Sequence, residues 1–271
     1  MSRKTSPAMR RQRSSLSAAC AASLLCLATA CHADEAAPAE RAAALPELGL
    51  MGTIPIYWGE TGDFGDLLAD GGNGHWARAR LEAEFTLRPL DTLDADSLAG
   101  LDRLLLAQPR ALSAAENVAL DGWVRAGGRV LLFADPMLTG ESRFAIGDRR
   151  RPQDVILLSP ILDHWGLALE FDDDRPAGYA MLPTSGAPLP VNLPGSLRPR
   201  DGADCAILVA DVLAQCSIGE GRAVVMADAA LLDLHEAHSG AAAALDWLVA
   251  ESFPQTGDNA GKGSAAFGSS Q

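Results

Sequence analysis

Apolar positions fall into short unbroken runs separated by amphipathic stretches, the pattern of buried parallel strands alternating with helices. Leu104-Leu105-Leu106-Ala107 is one such run, stopped by Pro109. Residues 129–134 (Arg-Val-Leu-Leu-Phe-Ala) are another, opened out by Asp135-Pro136. Between them, Ser113-Ala114-Ala115-Glu116 reads as a capping box, in which hydroxyl and carboxylate satisfy each other's backbone amides. Val118, Trp123 and Val124, with the alanines around them, predict the apolar face of that helix, and Gly127-Gly128 its end. Strand, helix and strand joined by short connections predict a right-handed βαβ unit.

The pattern extends in both directions. Upstream it predicts a strand over 50–58, a Gly- and Asp-rich loop over 60–74, a helix over 75–85 with Trp76, Ala79 and Ala83 on one face, and an extended piece over 86–90. Downstream it predicts a helix over 159–165 closed by Gly166 and an extended stretch over 167–171. Residues 175–200 hold six prolines and predict an irregular excursion with β-hairpins. Strands follow over 205–213, 215–218 and 222–227, with a tight turn at Gly219-Glu220-Gly221 and a last helix over 239–252 that turns Leu245, Leu248 and Val249 inward. The expected fold is α/β: a three-layer sheet of mainly parallel strands, flavodoxin- or amidotransferase-like, with a β-rich insert.

The ends change the picture. A basic start (Arg3, Lys4, Arg10, Arg11, Arg13) precedes an uncharged apolar run over 16–30, the layout of a secretory signal. The run is shorter than the roughly 20 residues that span a bilayer, which disfavours a start-anchored helix. Leu27-Ala28-Thr29-Ala30-Cys31 has the outline of a lipobox, with Leu27 one place early. Acylation of Cys31 and plain cleavage after Ala30 or Ala33 both stay open. The expected organisation is a signal over 1–31, an Ala- and Pro-rich tether over 32–47, one domain over 48–253 and a disordered Gly- and Ser-rich tail over 254–271. The expected location is periplasmic or otherwise exported, with membrane association only through a lipid on Cys31.

Five of the 22 Lys and Arg residues, and none of the 35 Asp and Glu residues, lie in the first 31 positions. The remainder therefore carries a net charge of −18. Such a surface repels nucleic acid and anionic lipid, so no nucleic-acid partner is expected. Past residue 31 two cysteines remain, Cys205 and Cys216, in two apolar runs that read as neighbouring strands. In an oxidising compartment the pair favours a disulfide over two buried thiols.

The stretch from Leu104 to Pro136, with its Gln108-Pro109, Ser113-Ala-Ala-Glu116, Gly122-Trp123 and Gly127-Gly128 landmarks, resembles the ABC-type uncharacterised transport system domain. That family includes the auxiliary component of gliding-motility transporters and belongs to the class I glutamine amidotransferase-like superfamily. Trp165-Gly166 and Arg222-Ala-Val-Val-Met-Ala-Asp228 extend the likeness over residues 48–253. The resemblance implies an extracytoplasmic domain working beside membrane transporter subunits.

It also implies where chemistry would sit. Active members of that superfamily carry a cysteine on a sharp turn after the strand that corresponds to 129–134, and a Gly-Gly turn for the oxyanion after the earlier strand. Here the first position reads Ala134-Asp135-Pro136 and the second Gln108-Pro109, where proline has no amide hydrogen to give. Thr139 and Ser142 come too late for the turn. The expectation is a non-enzymatic accessory domain without cofactor or metal.

Two alternatives stand beside it: a periplasmic small-ligand binding module using the crevice at the strand ends, and a degenerate hydrolase. The ligand-binding candidates for that crevice are Glu60, Asp63, Asp135 and Asp228; Asp66, Asp70 and Gly71-Gly72-Asn73-Gly74 share the first loop. His235, Glu236 and His238 read as a solvated loop rather than a metal site, with Asp233 nearby. Asp172-Asp173-Asp174 reads as a solvated turn, His164 as structural and His75 as a helix start.

Overall fold

This computed structural model describes residues 44–60, 75–175, 177–232 and 240–254. Seven strands form the central sheet. In chain order these are β1 (Glu47–Gly52), β2 (Thr86–Pro89), β3 (Arg103–Ala107), β4 (Arg129–Phe133), β9 (Cys205–Val209), β10 (Leu213–Ile218) and β11 (Gly221–Met226), arranged as β2-β1-β3-β4-β11-β10-β9. The first five of that row are parallel; β10 and β9 are added antiparallel. The four remaining strands form two small sheets. β5 (Leu167–Glu170) pairs with β8 (Ser196–Pro199), and β6 (Tyr179–Leu182) pairs with β7 (Leu189–Asn192), both antiparallel. Pro190 and Pro199 are tolerated because each lies in a two-stranded sheet, where every strand is an edge.

Alternation along the strands sorts the core into two layers. Leu105, Leu131, Phe133 and Val224 point to one face, which is covered by α1 (Trp76–Glu82) and α5 (Ala241–Ser252). Leu104, Leu106, Leu132 and Val225 point to the other, covered by α2 (Ala95–Leu98), α3 (Ala114–Arg125) and α4 (Ser159–His164). Burial on both sides is why β3 and β4 read as unbroken apolar runs. Each of these fully buried side chains contributes about 1.5–3 kcal/mol of transfer free energy. The three-layer α/β sheet with a β-rich insert is the architecture the pattern predicts.

The differences are local. The first strand is 47–52, not 50–58, so Glu47 belongs to β1 and not to the tether. Gly52 lies so close to β3 that a Cβ would come 2.0 Å from the Ala107 carbonyl oxygen. Pro55 then offers no amide, and residues 55–59 turn back through the Gly59 N–H to Pro55 O bond of 2.8 Å. On α1 the inward residues are Ala77 and Leu81, while Ala79 and Ala83 are exposed. Alanines mark a helix face poorly, and the leucine sets it. On α3, Leu120 and Val124 are buried, but Val118 is 74% exposed.

The strand predicted over 205–213 stops at Val209. There the chain turns through Ala210 at φ +44, and Val212 N–H bonds back to Val209 O at 3.0 Å before β10 starts at Leu213. At the far end, Pro254 belongs to the packed domain, because its carbonyl accepts from Arg129 Nη1 at 3.2 Å. Cys31, the signal, most of the tether and the tail from residue 255 lie outside the described residues.

Candidate functional site

Parallel strands β1, β3, β4 and β11 all end at one crest of the sheet, where open α/β folds place ligands. The crest is built by Gln108, the residue after β3. It is fully buried, with φ +49, in the left-handed region that non-glycine residues seldom enter. Its side chain holds it there. Nε2 donates to Asp135 O and to Gln153 O, both at 2.9 Å, and Oε1 accepts from Asp135 N–H at 2.8 Å. Its backbone carbonyl accepts from Thr53 N–H at 3.0 Å and from Thr53 Oγ1 at 2.5 Å, and Thr53 Oγ1 in turn accepts from Gln153 N–H at 3.0 Å. The Gln108 amide thus latches the exits of β3 and β4, and its backbone carbonyl adds the exit of β1.

Asp135 and Asp228 follow β4 and β11, which are neighbours in the sheet, and both are fully buried. Asp135 Oδ1 accepts from Met137 N–H at 2.8 Å, and Oδ2 from Ala229 N–H at 3.0 Å. Asp228 Oδ1 accepts from Ala230 N–H at 2.7 Å, and Oδ2 from Asn192 N–H at 2.9 Å. Each carboxylate therefore closes the turn that follows it and clasps a second segment: Asp135 the exit of β11, Asp228 the β7 hairpin strand. Burial pushes the Asp135 carboxyl up to about 6, against the pull of its two amides. Burial first, and the charge of Asp135 second, push Asp228 well above the ordinary carboxylate range. The structure brings these two predicted residues together in roles of internal support.

Glu60 lies further out. It accepts from Ser142 Oγ and, at 2.9 Å, from Arg143 N–H, while its own carbonyl accepts from Arg143 Nη1 at 2.9 Å. It ties the segment after β1 to the loop after β4. Asp63, Asp66, Asp70 and Gly71 to Gly74 lie outside the described residues, as do Asp233, His235, Glu236 and His238. Under the crest a small apolar cavity is lined by Ile54, Leu138, Pro152, Ala229, Ala230 and Leu232; at about 10 Å³ for the centre of a water-sized sphere, it holds one water at most.

The other sequence candidates resolve into structural parts. His75 caps α1: its Nδ1 accepts from Ala77 N–H at 3.1 Å, so Nε2 carries the proton and donates to Leu232 O at 2.9 Å. His164 Nε2 sits 3.3 Å from Asp121 Oδ2 at the junction of α3 and α4. Asp172, Asp173 and Asp174 form an exposed turn, with Asp174 N–H on Asp172 Oδ1 at 3.1 Å. Cys205 and Cys216 face each other in the β9–β10 ladder and are joined by a disulfide.

Sequence reasoning passed over the amide of Gln108, attending only to the proline beside it. The available signal was a polar residue closing an otherwise apolar buried strand. It also passed over Ser196, Asp211 and Arg175, where Ser196 Oγ donates to Asp211 Oδ2 at 2.7 Å and Arg175 Nη2 lies 2.6 Å from the same oxygen.

No family model matches this chain, and no curated protein matches it. Among solved structures it is similar to the N-terminal domain of mmIFT52, at 13% identity and a TM-score of 0.49, covering 78% of this chain and 98% of that one. It is similar to a putative ThuA-like protein from Bacteroides uniformis at 10% identity and a TM-score of 0.45, covering 80% and 97%. It is also similar to an exo-β-1,4-mannosidase from an Opitutaceae bacterium at 15% identity and a TM-score of 0.42, covering 78% of this chain but only 34% of that enzyme.

Proposed function

We propose that this protein is a non-catalytic recognition domain that works outside the cytoplasm, beside an ABC-type transport system or a related envelope assembly. One observation carries the non-catalytic part: among the described residues, the polar groups at the strand ends are engaged by the protein's own groups. Gln108 spends its amide on Asp135 and Gln153, and the four oxygens of Asp135 and Asp228 all accept backbone N–H groups. An ionised base or nucleophile needs an open face toward substrate; these carboxylates are fully buried. The apolar cavity under the crest is too small for a ligand beyond water, so it offers the small-ligand reading no site at that point.

The extracytoplasmic part draws on the disulfide, which persists in oxidising compartments, and on the signal-like start of the sequence. The transporter part draws on the resemblance alone, which is most specific over residues 104–136. The test isolates the protein from membranes of cells expressing the full chain, cross-links it and identifies what is attached. Recovery of a permease or ATPase subunit of a transporter is the expected result. Hydrolytic turnover by the purified protein that disappears in Asp135→Asn would overturn the reading.

A further inference from the structure

Residues 134–158, between β4 and α4, hold neither helix nor strand. A connection longer than about 12–15 residues without structure of its own is uncommon inside a compact domain and is usually functional. This one is closed at its neck, where Leu138 N–H donates to Asp154 O at 2.9 Å and Ile156 N–H to Asp135 O at 3.1 Å. Glu60 grips it at Ser142 and Arg143. Two tight turns follow, through Asp148 N–H to Ala145 O at 3.0 Å and Arg151 N–H to Asp148 O at 3.1 Å. Phe144 is buried, Arg150 lies over its ring at 4.2 Å, and Arg151 Nη1 donates to its carbonyl at 3.1 Å. A loop closed and packed in this way is an Ω-loop. Its tip serves nothing inside the fold. Ile146 is 87% exposed, and Arg149 makes no hydrogen bond or ion pair among the described residues.

Two hollows meet along this loop and share Val155, which is 48% exposed. One, of about 410 Å³, is lined by Arg149, Arg151 and Gln153 with Asp148 and Asp154. Asp154 answers Arg151 at 3.2 Å and Asp148 answers Arg150 at 2.8 Å, so Arg149 is left as the uncompensated charge. The other, of about 550 Å³, has Pro136, Leu158, Leu169 and Phe171 among its walls. The carboxylates at its rim, Glu170 and Asp163, are already paired with Arg198 and Arg200.

Charge selects the occupant. From Arg143 to Arg151 four arginines stand against one aspartate, in a chain whose net charge is −13. The loop therefore attracts the acidic groups that the rest of the surface repels. A guanidinium fork beside an apolar hollow is the make-up of a protein-interface hot spot. The net charge turns the domain away from an anionic bilayer, and a single isoleucine at the tip buries too little to anchor it there. A small amphiphile would stay half wet between walls as open as Val155 and Phe171, the latter 36% exposed. We infer that the loop over 139–153 and the groove beside it dock a segment of a partner protein in which an Asp or Glu lies next to apolar side chains, the carboxylate on Arg149 and the apolar groups against Phe171. This inference rests on the recognition role proposed above and names the surface that serves it.

The experiment places photo-reactive benzoylphenylalanine at the position of Ile146 in the full chain and irradiates membranes of the expressing cells. A second chain carries the same probe at the position of Val118, which is 74% exposed on α3, a helix that lines neither hollow. The expected result is a protein adduct from position 146 and none from 118, with the attached peptide holding Asp or Glu beside apolar residues. Arg149→Glu and Val155→Lys, added to the position-146 probe, each cut the yield at least about tenfold at unchanged melting temperature. An adduct from position 118 alone overturns the inference. So does an adduct indifferent to both substitutions, a partner peptide without a carboxylate, or an adduct only to lipid or to a second copy of this chain. Absence of any adduct overturns it too. If chemical cross-linking still recovers a transporter subunit in that case, the function proposed above stands; if it does not, both fall.

Discussion

Gln108 joins two unfavourable features, a left-handed backbone and a buried amide, and each is sustained by the other. Truncation to alanine removes three side-chain hydrogen bonds and leaves Asp135 N–H unpaired in the interior. Gln108→Ala is expected to lower the unfolding free energy by about 3 kcal/mol, read as a lower urea midpoint at unchanged slope. Asp135 gives a pH signature of definite sign. Its folded carboxyl, at about 6, holds its proton more tightly than the unfolded chain, near 3.8. Stability from this group is therefore fully present below 3.8 and is lost as pH rises through 6. Melting temperatures should fall between pH 4 and 7 in the unsubstituted protein and fall less in Asp135→Asn. The variant should also start lower, because its amide nitrogen would confront a backbone N–H. Glu116 works in the opposite window: Arg110 holds its carboxyl at about 2, so its contribution is lost as pH falls from 4.5 toward 2.

Among the elements, α3 is the one whose chemistry is most fully written in its residues. Ser113 Oγ accepts from Glu116 N–H at 3.2 Å, and Glu116 Oε2 accepts from Ser113 N–H at 2.9 Å. The structure adds partners that the motif does not announce. Glu116 also accepts from Leu93 N–H at 3.3 Å and pairs with Arg110, at 2.7 Å from Nη2. Ser113→Ala is expected to cost about 1 kcal/mol in chemical denaturation, the ordinary worth of an N-cap, because Arg110 keeps Glu116 in place when the hydroxyl is gone. α1 shows the converse. Its existence was readable, but its buried face was not, because Trp76 and two alanines gave a period that Leu81 overrides through its contact with the core.

For the molecule as a whole, the disulfide closes a short loop around the β9–β10 hairpin, with the cysteines 11 residues apart. By the chain-entropy argument it stabilises by about 3 kcal/mol. Reduction, or Cys205→Ser with Cys216→Ser, should lower the melting temperature by several degrees without unfolding the parallel part of the sheet, whose strands β1 to β4 do not depend on the bridge. An α/β domain on this plan separates its duties: the doubly buried parallel strands hold the fold, and the antiparallel extension carries the one covalent staple among the described residues.

What the residues determined unaided was whatever depends on neighbours in the chain. Burial on both faces leaves unbroken apolar runs, a helix start needs its cap within three residues, and a two-residue reversal needs Gly219. These local requirements fixed β3, α3, β4 and the β10–β11 hairpin. Only the tertiary structure decided where strands stop and what the acidic groups do, because those outcomes depend on atoms distant in sequence. Gly52 ends β1 against Ala107, 55 positions away; Asp135 bonds Ala229 across two strand ends; Asp228 bonds Asn192 in the insert. A carboxylate at a strand end looks the same in sequence whether it faces solvent or the backbone amides of its own fold, and packing alone chose the second.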